Sequence, residues 1–215
     1  MLPYIDSILY YTASFLALLS LGLFLYKKNK ETSLIFIISY LLISIIADLF
    51  LNAYLEGVFS NASLGPRIFT VVEFILLSLF IRNKISSNKI KQLMIPLSAL
   101  FISVCIYDLK TNDKNDLDSL SIGTSSVIIL FYLIYYLFEK LNQNEEFFIY
   151  SKIDFWIVAG LVMYSSGTFF TLVSSQNKFT EDQYRTTYNF IMSSFALFRN
   201  ALFLVGFILL PKKKS

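Results

Sequence analysis

The chain has 215 residues, of which 18 are basic and 15 acidic, for a formal charge of +3; it is 56% hydrophobic and only 15% charged. Soluble domains carry about 25% charged residues, so the composition excludes an ordinary water-soluble fold and points to an integral membrane protein. With no histidine and a single cysteine, Cys105, it also excludes an intramolecular disulfide, Cys-cluster and His-based metal sites, and histidine acid–base chemistry.

Hydropathy over a window of about 19 residues divides the chain into seven apolar segments, predicting an all-α, polytopic membrane bundle forming one domain over 1–215. The first, 2–26, has no basic leader and runs into "KKNK", so it reads as a retained span rather than a cleaved signal peptide. The second, 33–55, places Tyr40, Ser44, Asp48 and Asn52 four residues apart, on one helical face. The third, 67–81, leaves 14 residues between Arg67 and Arg82, about 21 Å of helix. Either both arginines snorkel or the segment dips into one leaflet as a hairpin. The fourth, 93–107, is another weak segment, with Pro96 as the one obvious kink. A short Asp-, Asn- and Ser-rich connection near 109–121 leads to the fifth segment, 122–138, and no stretch of soluble-domain size remains. The sixth, 155–173, gathers Gly160, Tyr164, Gly167, Thr168 and Thr171 in its outer half; the seventh, 188–210, carries Asn189, Ser193, Ala196 and Asn200 on a stripe beside Arg199. Such small and hydroxylated stripes serve helix packing or line a polar pocket.

Basic residues are unevenly shared between alternate sides. Twelve lie on the side of the C-terminus and five on the other, with Arg199 inside a span. The positive-inside rule then puts the C-terminus in the cytoplasm and, with seven spans, the N-terminus outside. "NAS" at 61–63 and the terminal "KKKS" act as a glycosylation sequon and a retrieval signal only in a eukaryotic cell.

Three ionisable residues fall near mid-bilayer. Measured from segment midpoints, Arg199 lies at the centre, and Glu73 lies about 1.5 Å and Asp48 about 6 Å to the outer side. A charge there costs roughly 2.5–3.5 kcal/mol, so the expectation is that Arg199 pairs with Glu73, Asp48 or both. Two acids against one base leave an excess negative charge, suited to a proton, a cation or a small polar ligand. With Ser44, Asn52, Asn189, Ser193, Asn200, Tyr164 and Thr168, these three are the candidate lining of an outward-facing pocket. Asp6, Tyr10, Tyr11, Tyr107 and Asp108 would ring its mouth.

No catalytic residue, metal site or cofactor is expected. Retinal chemistry needs a lysine in the last span and none is there. Walker and dinucleotide loops are absent, and "IYDL" at 106–109 lacks the GxGD partner of an aspartyl protease. Lysines spread along membrane edges match anionic headgroups and not nucleic acid. A lipid-acting enzyme using Asp48, Glu73 or Asp108 is the remaining catalytic alternative.

The stretches "ISIIADLFLNAY", "VVEFILL", "FWIVAGLVMYSSGTFF" and "FRNALFLVGFILL" resemble small seven-helix integral membrane proteins of Bacteroidota-type bacteria. More loosely, the chain is similar to seven-helix membrane input modules of bacterial sensor kinases, but it reaches Ser215 without a coiled linker or catalytic domain. The resemblance implies a stand-alone input or accessory subunit in the bacterial inner membrane, signalling through another membrane protein. The alternative is a small solute or proton-coupled transporter, which discontinuous helices would favour.

Overall fold

Seven helices account for nearly all of the residues described by the computed structural model, which are 2–27, 31–55, 64–111, 119–142, 151–175 and 181–211. They are α1 (Leu2–Lys27), α2 (Thr32–Leu55), α3 (Leu64–Lys84), α4 (Asn88–Thr111), α5 (Ser119–Asn142), α6 (Ile153–Ser175) and α7 (Glu181–Leu209). There is no strand among the described residues. Lipid offers no hydrogen-bond partners, so a spanning segment must satisfy its backbone internally, and a helix does so within one segment.

The first six helices each cover their predicted apolar segment and run past it, and α7 starts seven residues before 188 and ends at Leu209, one short of 210. α3 begins three residues before Arg67 and ends at Lys84, and α4 extends the predicted 93–107 to Asn88–Thr111. Hydropathy marks the part of a helix that prefers lipid, whereas the i to i−4 ladder continues through polar flanks until it is capped. α3 is one unbroken helix of 21 residues, about 31 Å long. α4 also runs continuously through Pro96. Beside that proline, the Met94 carbonyl accepts hydrogen bonds from the Ser98 hydroxyl at 2.8 Å and the Tyr132 hydroxyl at 3.4 Å. Cations close several C-termini, with Lys27 in the last turn of α1, Arg82 and Lys84 in that of α3, Lys110 in α4 and Lys140 in α5. There they complement the negative end of the helix dipole.

The chain divides into two compact units. One is discontinuous and comprises residues 1–29 and 133–215, and within it α7 packs along both α1 and α6. α1 presents Ala13, Ala17, Ser20 and Phe24, a buried stripe at helical spacing. Its small residues let α7 approach closely, the device membrane helices use where no hydrophobic force draws them together. Ala13 meets Asn200, Phe24 meets Phe207 edge-on at 5.9 Å, and the Lys27 ammonium donates to the carbonyls of Ile208 and Leu210. α1 and α7 therefore run parallel, and Lys27 caps the C-terminal end of α7. α6 runs antiparallel to α7, because Gly167, Gly160 and Ile153 lie against Phe195, Phe203 and Gly206 in turn.

The second unit, residues 30–132, holds α2, α3, α4 and the first part of α5. α2 buries Leu34, Ile37, Tyr40, Leu41 and Ser44; α3 buries Thr70, Phe74, Leu77 and Ile81. Glu31, just before α2, accepts from Lys84 at the far end of α3 and from the Ser33 hydroxyl, which makes these two helices antiparallel. α4 buries only Met94, Phe101 and Asp108, one residue in seven, with Phe101 stacked on Phe74 at 4.0 Å between ring centres.

Candidate functional site

A buried cation in the middle of an apolar helix is the strongest chemical feature. Arg199 and its neighbour Asn200 lie at the centre of Phe190–Leu209, a stretch of α7 long and apolar enough to cross a membrane, and both are 3% exposed. The Arg199 Nε–H donates to Asn200 Oδ1 at 3.0 Å, and Asn200 Nδ2 donates to the Ala13 carbonyl of α1 at 2.9 Å. On the α6 side, the guanidinium carbon sits 4.4 Å from the ring centre of Tyr164. At that distance the π face attracts the cation, by about 2 kcal/mol where water is excluded. The charge on α7 is thus bound to α1 through an amide and to α6 through a ring.

The surroundings of this cluster are tightly built. Thr168 and Ser165 are buried on α6, and the Thr168 hydroxyl donates back to the Tyr164 carbonyl at 2.9 Å. A methyl group at Gly160 would meet the Arg199 carbonyl at 3.1 Å and the Phe203 ring at 3.2 Å; at Gly167 it would overlap the Phe195 ring at 2.2 Å. Both glycines are positions of close helix approach, one turn to either side of Tyr164. Ser193 is half-buried on α7.

The remaining predicted residues distribute as follows. Glu73 is half-buried and engaged on α3, and Ser44 is buried on α2; both belong to the second unit, as does Asp48. The side chains of Asp6, Asp48, Asn52 and Asn189 lie outside the described residues, as do "NAS" at 61–63 and the terminal lysines. Tyr10 is half-buried and meets Tyr11 edge-on at 5.5 Å, while Tyr11 and Tyr107 are exposed.

Asp108 has a definite structural task. It is 2% exposed, and its Oδ2 accepts the backbone N–H of Ser121 at 3.2 Å and the Ser121 hydroxyl at 2.6 Å. Ser121 stands in the first turn of α5, where backbone donors have no intrahelical acceptor. Asp108 therefore caps α5 from the end of α4, with a negative charge at the positive end of the helix dipole.

Sequence reasoning did not single out Ser121, Glu31, Lys84 or Lys27 as contact residues. Ser121 had a readable signal, a serine at the start of an apolar run after an Asp- and Asn-rich loop. Among the described residues no group of three or more Cys, Asp or Glu is placed to hold a metal ion.

Five helices, α1, α4, α5, α6 and α7, contain stretches long and apolar enough to cross a membrane among the described residues. Their outward faces carry large exposed apolar side chains such as Phe15, Leu100, Ile134 and Phe170, a surface made for lipid and not for water. The fold class is accordingly a helical membrane protein. Compared with protein-family models, curated proteins and solved structures, the chain has no match.

Proposed function

We propose that this chain is a seven-span protein of a bacterial inner membrane, N-terminus outside, that senses a small polar ligand and passes the signal to another membrane protein by contact. The observation that carries the reading is Arg199, a buried cation held by α1 on one side and α6 on the other through Asn200 and Tyr164. A polar ligand competing for the guanidinium draws it off the Tyr164 ring of α6 and off the Asn200 Oδ1 beside it, which converts binding into movement of α7 against α6. Parallel packing of α1 and α7 supports an odd number of spans, since an odd count brings the last helix back to the direction of the first. The distribution of lysine and arginine supports the orientation.

The chain's one tryptophan supplies the test. Trp156 lies on α6 where Gly206 of α7 approaches it, so its emission reports on α6–α7 packing. A screen of small anions, amino acids and polyols against the reconstituted protein should give a saturable Trp156 response that Arg199→Gln abolishes. Flux of an ion or solute through the protein in sealed liposomes, lost in Glu73→Gln, would replace the sensor with a transporter.

A further inference from the structure

Of the five stretches able to cross a membrane, that of α4 is the least enclosed, with 11% of it buried. Its few anchors are placed unevenly about Pro96. Phe101 and Asp108 are buried on the C-terminal side, where Phe101 stacks on Phe74 of α3 and Asp108 accepts from Ser121 of α5. The C-terminal arm, residues 97–111, is thus fastened at two levels. The N-terminal arm, residues 88–95, buries Met94 alone and joins α3 through the non-helical residues 85–87.

Two features at the junction of the arms favour bending. Pro96 has no N–H, so the Gln92 carbonyl four residues back receives no helix hydrogen bond from it, and the ring presses on that carbonyl. The Ser98 hydroxyl donates to the Met94 carbonyl at 2.8 Å, a back-bond of the kind that bends helices. Against these stands one side chain of α5. Tyr132 is 0% exposed, and its hydroxyl donates to the Met94 carbonyl at 3.4 Å and lies within hydrogen-bonding reach of the Ser98 hydroxyl. It therefore holds α4 two residues before and two residues after the proline. The bond to Met94 is long beside the ~2.7–2.8 Å usual for an O–H donor and an oxygen acceptor, and so is readily released.

We propose that Pro96 is a hinge in α4 and that the Tyr132 hydroxyl is its latch. Release of the hydroxyl lets the 88–95 arm tilt while the 97–111 arm stays fastened, and the turn at 85–87, which has no helical ladder, takes up the change. Kinks at proline exceed about 20°, and the arm is about 12 Å long at 1.5 Å per residue. Its far end then moves by about 4 Å. Lys89 and Lys91 ride on that arm, so the bend repositions two cations. The hinge, the latch and both anchors lie within residues 30–132, and the device does not depend on Arg199.

The test is distance measurement between paired spin labels on the full chain in lipid nanodiscs, with Cys105→Ser removing the native thiol. Lys89→Cys with Ile46→Cys reports on the N-terminal arm, and Lys110→Cys with Ile35→Cys on the C-terminal arm; all four positions are exposed. Tyr132→Phe removes only the hydroxyl. It should raise by about threefold the share of molecules whose first-pair distance is displaced, by up to about 4 Å, and leave the second pair unchanged; threefold is what one average hydrogen bond between membrane helices yields. Adding Pro96→Ala, which restores the missing N–H, should return the first pair to the wild-type distribution. The proposal is overturned if Tyr132→Phe leaves the first pair as in wild type, if both pairs broaden together, or if Pro96→Ala fails to reverse the change.

Discussion

Replacing Gly167 by alanine adds one methyl group where the Phe195 ring of α7 lies against α6. That carbon would lie 2.2, 2.3 and 2.5 Å from Cδ2, Cγ and Cε2 of Phe195. Carbon atoms in contact prefer about 3.5 Å or more, so the ring must retreat by more than about 1 Å. Cγ is the ring atom nearest the backbone, and moving it requires a new rotamer or a displaced helix. Overpacking of this kind costs about 1–3 kcal/mol, and the upper end applies because three ring atoms clash together. Alanine returns about 1 kcal/mol through its better helix propensity, leaving a net loss of about 2 kcal/mol. Gly22 is the internal control, since a methyl group there meets nothing within 4 Å. Unfolding in mixed micelles should rank Gly22→Ala at or above wild type and Gly167→Ala below it, with Phe195→Ala restoring part of the loss. Equal stability of Gly167→Ala and Gly22→Ala would refute the claim that Phe195 is seated on Gly167.

Three further outcomes are expected. Asp108→Asn keeps the side chain's shape but removes the charge that caps α5, and should lower stability by about 1–2 kcal/mol in the same assay; Ser121→Ala should cost little more when added to it. Tyr164→Phe should retain most of the attraction for Arg199, whereas Tyr164→Leu should lose about 1–2 kcal/mol, read as the difference between their melting curves. Burial raises the Glu31 carboxyl, but the hydrogen bonds from Lys84 and Ser33 and the Lys84 charge outweigh it and hold the group below its ordinary value. A depressed carboxyl stabilises above its unfolded pKa and stops doing so as pH falls through the folded one. The Glu31–Lys84 contact should therefore weaken only on acidification below the ordinary carboxylate range; being partly exposed, it is worth less than about 1 kcal/mol, and Glu31→Gln should remove the dependence.

Particular residues show what was legible in the sequence. All seven helices could be placed because apolar length is a one-dimensional property, and Arg199 stood out because nothing else in its segment is charged. Gly160, Gly167, Tyr164 and Thr168 could be grouped by spacing, but whether a glycine faces a pocket or a phenylalanine depends on the partner helix. The Asn200 contact to the Ala13 carbonyl was beyond reach, since its acceptor is backbone and carries no sequence signal. Asp108 illustrates the same limit: its partner Ser121 lies across a loop whose length and composition allow many geometries, and only folded coordinates bring the pair to 2.6 Å.

The bond from Lys27 to the last carbonyls of α7 has a consequence for biosynthesis. Lys27 leaves the ribosome early, and its acceptors Ile208 and Leu210 are among the last residues made. At 5–20 residues per second the interval is roughly ten to forty seconds. Throughout that time α1 waits without α7, its small-residue stripe uncovered, while residues 30–132, which form the other compact unit, are made. Assembly thus has a built-in order, in which the stripe on α1 is covered only when the last helix is made.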